Sequence, residues 1–274
     1  MTLVDAGLAG RANEGARGVL ADGQSERYSK SAMPHYTKAP ITEAIIDIRA
    51  VLPEGIDLGD IDRLGREMLP DYPERQDRFL FEATVRGGAE VGAQAKQTRI
   101  GFLYRSFTDP SVVQYRLDGF TVSRLTPYAD WHSFREEARR LWGFYESALR
   151  PQLVTRLAVR YINRLDVPAF HFELAEYLGA FPQLPDGIPH PISGFVMQLE
   201  IPQADIGATL LLNIATAESR SPEVTSILLD IDVFREMEIR GDFGGLWENL
   251  NQLRERKNTI FEACITDKTR RLIA

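Results

Sequence analysis

Arg156-Leu157-Ala158-Val159-Arg160-Tyr161-Ile162-Asn163-Arg164-Leu165-Asp166 is the stretch on which the reading of the fold turns. In an extended strand, successive side chains point to opposite sides. Here Leu157, Val159, Tyr161 and Leu165 fall on one side, with Asn163 as the polar residue among them. Arg156, Arg160, Arg164 and Asp166 fall on the other. The spacing predicts a strand over 155–167, ended by Pro168, with one apolar and one charged side. Two further runs read the same way. In 41–49, Ala44, Ile46 and Ile48 face inward while Glu43, Asp47 and Arg49 face outward. In 225–237, Ile227, Leu229, Ile231 and Val233 are expected to be buried, with Asp230 and Asp232 outward.

Working outward from these strands, helical spacing appears at Leu58, Ile61, Leu64, Met68 and Leu69, with Asp57 placed to cap and Pro70 to stop the helix. Strands are predicted at 78–86, 96–107 and 111–125, with Asp109-Pro110 as a hairpin turn between the last two. Trp131, Phe134, Ala138, Leu141, Trp142 and Tyr145 then define an amphipathic helix over 130–149, closed by Pro151. After the 155–167 strand come a short helix at 170–178, a proline-rich loop at 181–191, and strands at 194–201, 208–215 and 225–237. A last helix is expected from about Asp242, carrying Phe243, Leu246, Leu250, Leu253 and Ile260 on one face.

The order strand, helix, three strands, helix thus occurs twice. Asp47-Ile48-Arg49-Ala50-Val51-Leu52-Pro53 is similar to Ile162-Asn163-Arg164-Leu165-Asp166-Val167-Pro168. Trp131, Phe134, Ala138 and Leu141 align with Phe243, Leu246, Leu250 and Leu253 at nearly the same spacing. The expectation is an α+β fold: a tandem pseudo-repeat, 34–152 and 153–274, sharing one compact body. Its mostly antiparallel curved sheet would be covered on one face by two long helices. Pairing two such units hides sheet edges that each alone would expose. Residues 1–33, rich in Gly, Ala, Ser and charge, read as a disordered tail, or as sequence preceding a start at Met33.

The totals exclude several functions. The chain has 274 residues, 44% hydrophobic and 26% charged, a globular composition. A formal charge of −7 disfavours nucleic acid held by bulk charge, because phosphate contacts require a positive footprint. Neither a membrane-spanning apolar run nor a signal peptide is present: Val19-Leu20-Ala21 runs directly into Asp22-Gly23-Gln24-Ser25-Glu26-Arg27. A cytoplasmic location is the expectation, and Cys264, the single cysteine, cannot form an internal disulfide.

Catalytic signatures are mostly missing. Gly87-Gly88 and Gly244-Gly245 lack the lysine and spacing of a phosphate loop, and His35, His132, His171 and His190 stand apart without ligand-spaced partners. No catalytic residue, metal site or cofactor is assigned. Cys264 reads as a structural thiol, and Trp131, Trp142 and Trp247 as core anchors. The charged strand sides are the remaining candidates, with Arg160, Asn163, Arg164, Asp230 and Asp232 as possible ligand-binding residues. One reading makes them a ladder of ion pairs on a solvated face, each contributing little. The other makes Arg160 and Arg164 grip an anionic ligand or acidic partner, oriented by Asp230 and Asp232, because a guanidinium forks onto carboxylate or phosphate. The runs Arg254-Glu255-Arg256-Lys257-Asn258 and Lys268-Thr269-Arg270-Arg271 are either a solvated helix face or a basic tail that contacts a partner.

With those residues in hand, the chain resembles a family of sporadically distributed prokaryotic proteins of unknown function. The resemblance runs from Lys38-Ala39-Pro40-Ile41-Thr42-Glu43-Ala44 to the C-terminus. It rests on Ser123-Arg124-Leu125-Thr126-Pro127-Tyr128, the helix opening at Trp131, Arg160-Tyr161-Ile162-Asn163-Arg164-Leu165-Asp166, and Lys257-Asn258-Thr259-Ile260-Phe261-Glu262. It implies an accessory bacterial protein in a defence, stress or mobile gene module, and brings no reaction or cofactor. Two functions follow as expectations: a binding protein with a protein partner or a second copy of itself, or a site, possibly catalytic, for a small anionic ligand or nucleotide on the Arg/Asp face.

Overall fold

In the strand β1 (Ile41–Val51), Ala44, Ile46, Ile48 and Ala50 are buried, as the alternation predicts. The computed structural model describes residues 36–67, 70–86, 92–169, 172–185, 187 and 192–274. The predicted tail at 1–33, Met68, Leu69, Gly87-Gly88, His35, His171, His190 and part of the 181–191 loop lie outside the described residues. After β1 come α1 (Leu58–Glu67), β2 (Glu74–Arg86), β3 (Gly92–Arg105), β4 (Ser111–Arg116), β5 (Gly119–Leu125) and α2 (Trp131–Leu149). The chain continues through β6 (Leu153–Val167), β7 (Val196–Gln203), β8 (Ala208–Ala217), β9 (Thr225–Ile239), α3 (Leu246–Cys264) and α4 (Asp267–Ile273). Among the described residues this is an α+β fold around one nine-stranded sheet of order β2-β3-β4-β5-β1-β6-β9-β8-β7. Every neighbouring pair is antiparallel, and the sheet is open, with β2 and β7 as its edges.

Local chemistry sets the element ends. Asp57 Oδ1 accepts from the backbone N–H of Gly59 at 2.7 Å and of Asp60 at 3.2 Å, capping α1. Asp130 Oδ1 does the same for α2, accepting from Ser133 N at 2.8 Å. Arg150, in the left-handed conformation at φ 50°, closes α2 ahead of Pro151.

Three elements differ from the sequence expectation. The predicted 111–125 strand is a hairpin, β4 and β5, turning at Leu117-Asp118. Both faces of these strands are largely buried, so the run shows no alternation whose change of phase would mark the turn. Gly119 makes the turn possible: its φ is +147°, and a Cβ there would lie 2.3 Å from the carbonyl oxygen of Ile48. Four strands therefore lie between α1 and α2, against three between β6 and α3. The predicted 170–178 helix contains only a single 3₁₀ turn, Leu174–Glu176, among the described residues. The last long helix starts at Leu246 rather than near Asp242, because Asp242 Oδ1 accepts from Gly244 N at 2.8 Å in a turn that precedes it.

Helix α1 packs against β3, β4 and α2; α2 packs against β5, and α3 against β6 and β9. The Tyr115 hydroxyl of β4 donates to Leu141 O of α2 at 2.8 Å, and the Tyr145 hydroxyl of α2 donates back to Arg116 O at 2.9 Å. Around these bonds Tyr115, Phe120, Trp142 and Tyr145 form an aromatic group, with Trp142 stacked on Tyr145 at 5.3 Å. The buried row of β1 continues into that of β6 through Ala44↔Tyr161, Ile46↔Val159 and Ile48↔Leu157, so one apolar core runs across the centre of the sheet. Each fully buried side chain of this size contributes roughly 1.5–3 kcal/mol. The C-terminal basic run is not a free tail. It forms α4, in which Thr269 and Ile273 are buried, Lys268 Nζ pairs with Glu176 at 3.0 Å and Arg270 Nε with Glu262 at 3.0 Å.

Candidate functional site

The charged side of β6 meets the charged sides of β1 and β9 across the centre of the sheet. Register places Arg160 opposite Ile45 on β1 and Asp232 on β9, and Arg156 opposite Arg49 and Glu236. The guanidiniums reach diagonally rather than straight across. Arg160 forks onto Asp230, with Nε to Oδ1 at 2.9 Å and Nη2 to Oδ2 at 2.8 Å. Arg156 bridges two strands, donating from Nη1 to Asp47 Oδ2 and from Nη2 to Asp232 Oδ2, both at 3.2 Å, while its guanidinium lies 4.3 Å over the Phe234 ring. Arg164 donates to Asp166 Oδ1 at 2.8 Å, to Ser226 Oγ at 2.6 Å and to Glu218 O at 2.7 Å.

Asp47 is the hub. It accepts from Thr121 Oγ1 at 2.6 Å, Arg116 Nη2 at 3.1 Å, and Arg49 Nε and Arg156 Nη1 at 3.2 Å. Burial by itself would raise its pKa, but Arg116, Arg49 and Arg156 outweigh burial and hold the carboxyl at about 2. Asp232 sits in the opposite balance. Burial pushes it up to about 6 against the pull of Arg156 and Arg160, with Asp230 and Asp47 adding repulsion. Its Oδ1 is enclosed and accepts no hydrogen bond from the described residues. A buried acceptor left empty costs about 1–3 kcal/mol. Next to it Asp230 also accepts from Asn213 Nδ2 at 3.2 Å, and Asn213 Oδ1 in turn accepts from Gln198 at 2.8 Å.

Of the sequence candidates, Arg160 and Asp230 are brought together directly, while Asp232, opposite Arg160 in register, is tied through Arg156 to Asp47. Arg164 belongs to a neighbouring group with Asp166 and Ser226. Asn163 lies on the opposite side of the sheet, buried, with Nδ2 donating to Leu229 O at 3.0 Å, so it takes no part. Sequence reasoning left out Arg156, Arg116 and Thr121. Arg156 was available from the alternation of β6, whereas Arg116 and Thr121 reach Asp47 only because the unrecognised hairpin lays β5 beside β1. Where β1, β6 and β9 run out on this side, Arg49, Asp118, Arg156, Glu236 and Glu238 line an open groove of about 760 Å³.

On the other side of the sheet, several motif residues converge. The Lys257 amine of α3 rests 3.7 Å above the Tyr161 ring, the Tyr161 and Tyr128 hydroxyls lie 2.8 Å apart, and Trp131 Nε1 donates to Asn251 Oδ1 at 2.9 Å. Burial, with Arg254 adding repulsion, lowers Lys257 to about 7, and burial raises both tyrosines. These groups tie α2 and α3 to the sheet. Burial raises the Cys264 thiol to about 11, which keeps it from acting as a thiolate nucleophile. Among the described residues, no group of three His, Cys, Asp or Glu side chains is placed to hold a metal ion, and no helix is long and apolar enough to cross a membrane. No family model matches the chain, and no curated protein matches it.

Proposed function

We propose that this chain is a non-catalytic binding protein that recognises a protein partner through the charged side of β1, β6 and β9. The observation that carries the reading is Asp232 Oδ1, a buried acceptor without a donor among the described residues, on a side of the sheet whose arginines already hold carboxylates. Arg156, Arg160 and Arg164 each have a carboxylate partner. A cationic or hydrogen-bond-donating side chain is the complement of this surface, and it reaches the enclosed Oδ1 only after the side chains over it move aside. The alternative, an anionic ligand held by Arg160 and Arg164, requires those guanidiniums to give up Asp230 and Asp166 first.

The surface is also read here as the junction of two related units, 34–152 and 153–274. Outward from the β1–β6 pair, each half lays its strands down in reverse chain order: β5, β4, β3, β2 on one side and β9, β8, β7 on the other. A cytoplasmic, accessory role suits a protein of this kind. Affinity capture from the native host, with wild-type protein and Asp232→Asn side by side, tests the assignment. The wild type is expected to retain a stoichiometric protein partner that the variant loses. Failure of the wild type to retain any, or equal retention by both, overturns the assignment.

A further inference from the structure

The two edges of the sheet are built differently. β2 carries Glu74, Arg75, Asp77 and Arg78 in its first part, and a register shift between Arg78 and Phe79 interrupts its pairing with β3. Charges and bulges are the devices by which an edge avoids templating another strand. β7, Val196-Met197-Gln198-Leu199-Glu200-Ile201-Pro202-Gln203, carries Glu200 as its one charge and pairs with β8 without a register break. Most of its side chains are open to solvent: Val196 is 83% exposed, Leu199 39% and Ile201 37%. Glu200 and Pro202, both toward its end, are the features of this strand that discourage a further one.

We propose that β7 pairs antiparallel with β7 of a second copy, with Leu199 on the two-fold axis, joining two sheets into one. The backbone sets which residues are available. Thr216 N donates to Phe195 O at 3.0 Å, so Phe195 turns its backbone toward β8. Alternation then directs the backbones of Met197, Leu199 and Ile201 to β8 as well, and those of Val196, Gln198, Glu200 and Pro202 outward. Pro202, which has no N–H, occupies an outward position, where proline is tolerated on an edge.

Self-pairing selects the register. Two antiparallel copies that keep the same sheet faces place residues of equal parity opposite each other, so the axis passes through a residue. With the axis at Leu199, Gln198 and Glu200 of the second copy exchange backbone hydrogen bonds, and the Gln198 amide lies beside the Glu200 carboxylate. The same register puts Leu199 against Leu199 and the half-buried Met197 against Ile201, gathering apolar side chains of which Leu199 and Ile201 are now exposed. An axis at Glu200 would set two carboxylates directly opposite, which is destabilising. An axis at Gln198 would leave Glu200 facing Val196.

Light scattering on the full chain across the micromolar range tests this proposal. The wild type is expected at twice the 30.9 kDa chain mass. Leu199→Lys and Leu199→Glu, each placing like charges on the axis, are expected to be monomeric with unchanged far-UV circular dichroism. An equimolar mixture of the two is expected to recover the dimer, because lysine then faces glutamate. Gln198→Glu, which sets carboxylates opposite each other in the same register, provides a second disrupting variant and is expected to lose the dimer too. A wild type that stays at the chain mass overturns the proposal, leaving the edge to another strand or to the chain itself. Dimers that persist in every charged variant overturn it as well, and a folded mixture that remains monomeric rules out the Leu199 axis.

Discussion

Lys257 and Asp47 show how burial is settled one side chain at a time; both pKa values are lowered on folding, so each makes stability rise with pH, in its own window. Lys257 has a folded pKa of about 7, below its ordinary 10.5. The cost of keeping it charged in the core is complete below pH 7 and is relieved as pH rises toward 10.5, where the unfolded chain still holds the proton. Lys257→Met is therefore expected to stabilise the fold at pH 7 by about 2 kcal/mol, and to remove the rise in wild-type stability across that window. Urea titrations at pH 7 and pH 9.5 measure both effects. Asp47, held at about 2 against its ordinary 3.8, contributes stability that is present above pH 3.8 and lost as pH falls toward 2. Asp47→Ala leaves the buried Arg116 with only the half-exposed Asp118 and takes a carboxylate from Arg156 as well, and is expected to cost about 3 kcal/mol at pH 7 by the same titration. Asp232 differs from both, since its folded pKa of about 6 lies above 3.8 and its charged form is a cost that grows from pH 3.8 to 6. Asp232→Asn should then raise the melting temperature at pH 7 while abolishing partner capture. A gain in stability with a loss of binding separates a recognition residue from a merely structural one.

At the scale of elements, the β5 turn and the α2 cap are the points most open to measurement. Gly119→Ala drives a methyl group toward Ile48 O at a backbone angle that disfavours a side chain, and is expected to destabilise by about 1–3 kcal/mol in thermal melts. Asp130→Ala removes the α2 cap, with an expected loss of about 1 kcal/mol. These elements also show what can be read before coordinates exist. β1, β6 and β9 announce themselves because each has one buried and one charged side, so their alternation is strong. β4 and β5, buried on both sides, merge into one apolar run, and the Asp118-Gly119 pair was the remaining signal of a turn. The candidate site was legible to the same extent. Alternation puts Arg160, Asp230, Asp232 and Asp47 on charged sides, but the partner each one finds depends on strand order, which the pattern within a strand does not encode. Asn163 shows the reverse: a polar side chain on an apolar side is satisfied there by a backbone carbonyl, without any ligand.

Across the whole molecule, the apolar core passes without interruption from β1 to β6, so the two halves of the chain are expected to unfold together. Calorimetry should give one transition with equal calorimetric and van't Hoff enthalpies, and Gly119→Ala in the first half should shift the same single peak as a core substitution in β9. The central position of β1 has a further consequence during synthesis. Its two neighbours are β5 and β6, which leave the ribosome long after it does. Until β6 emerges, the strand destined for the middle of the sheet has one bare flank, with Glu43, Asp47 and Arg49 as the charges that deter a wrong mate. Translation speed through the region from α2 to β6, and chaperone occupancy there, should thus govern the soluble yield of this protein more than the stability of its finished fold does.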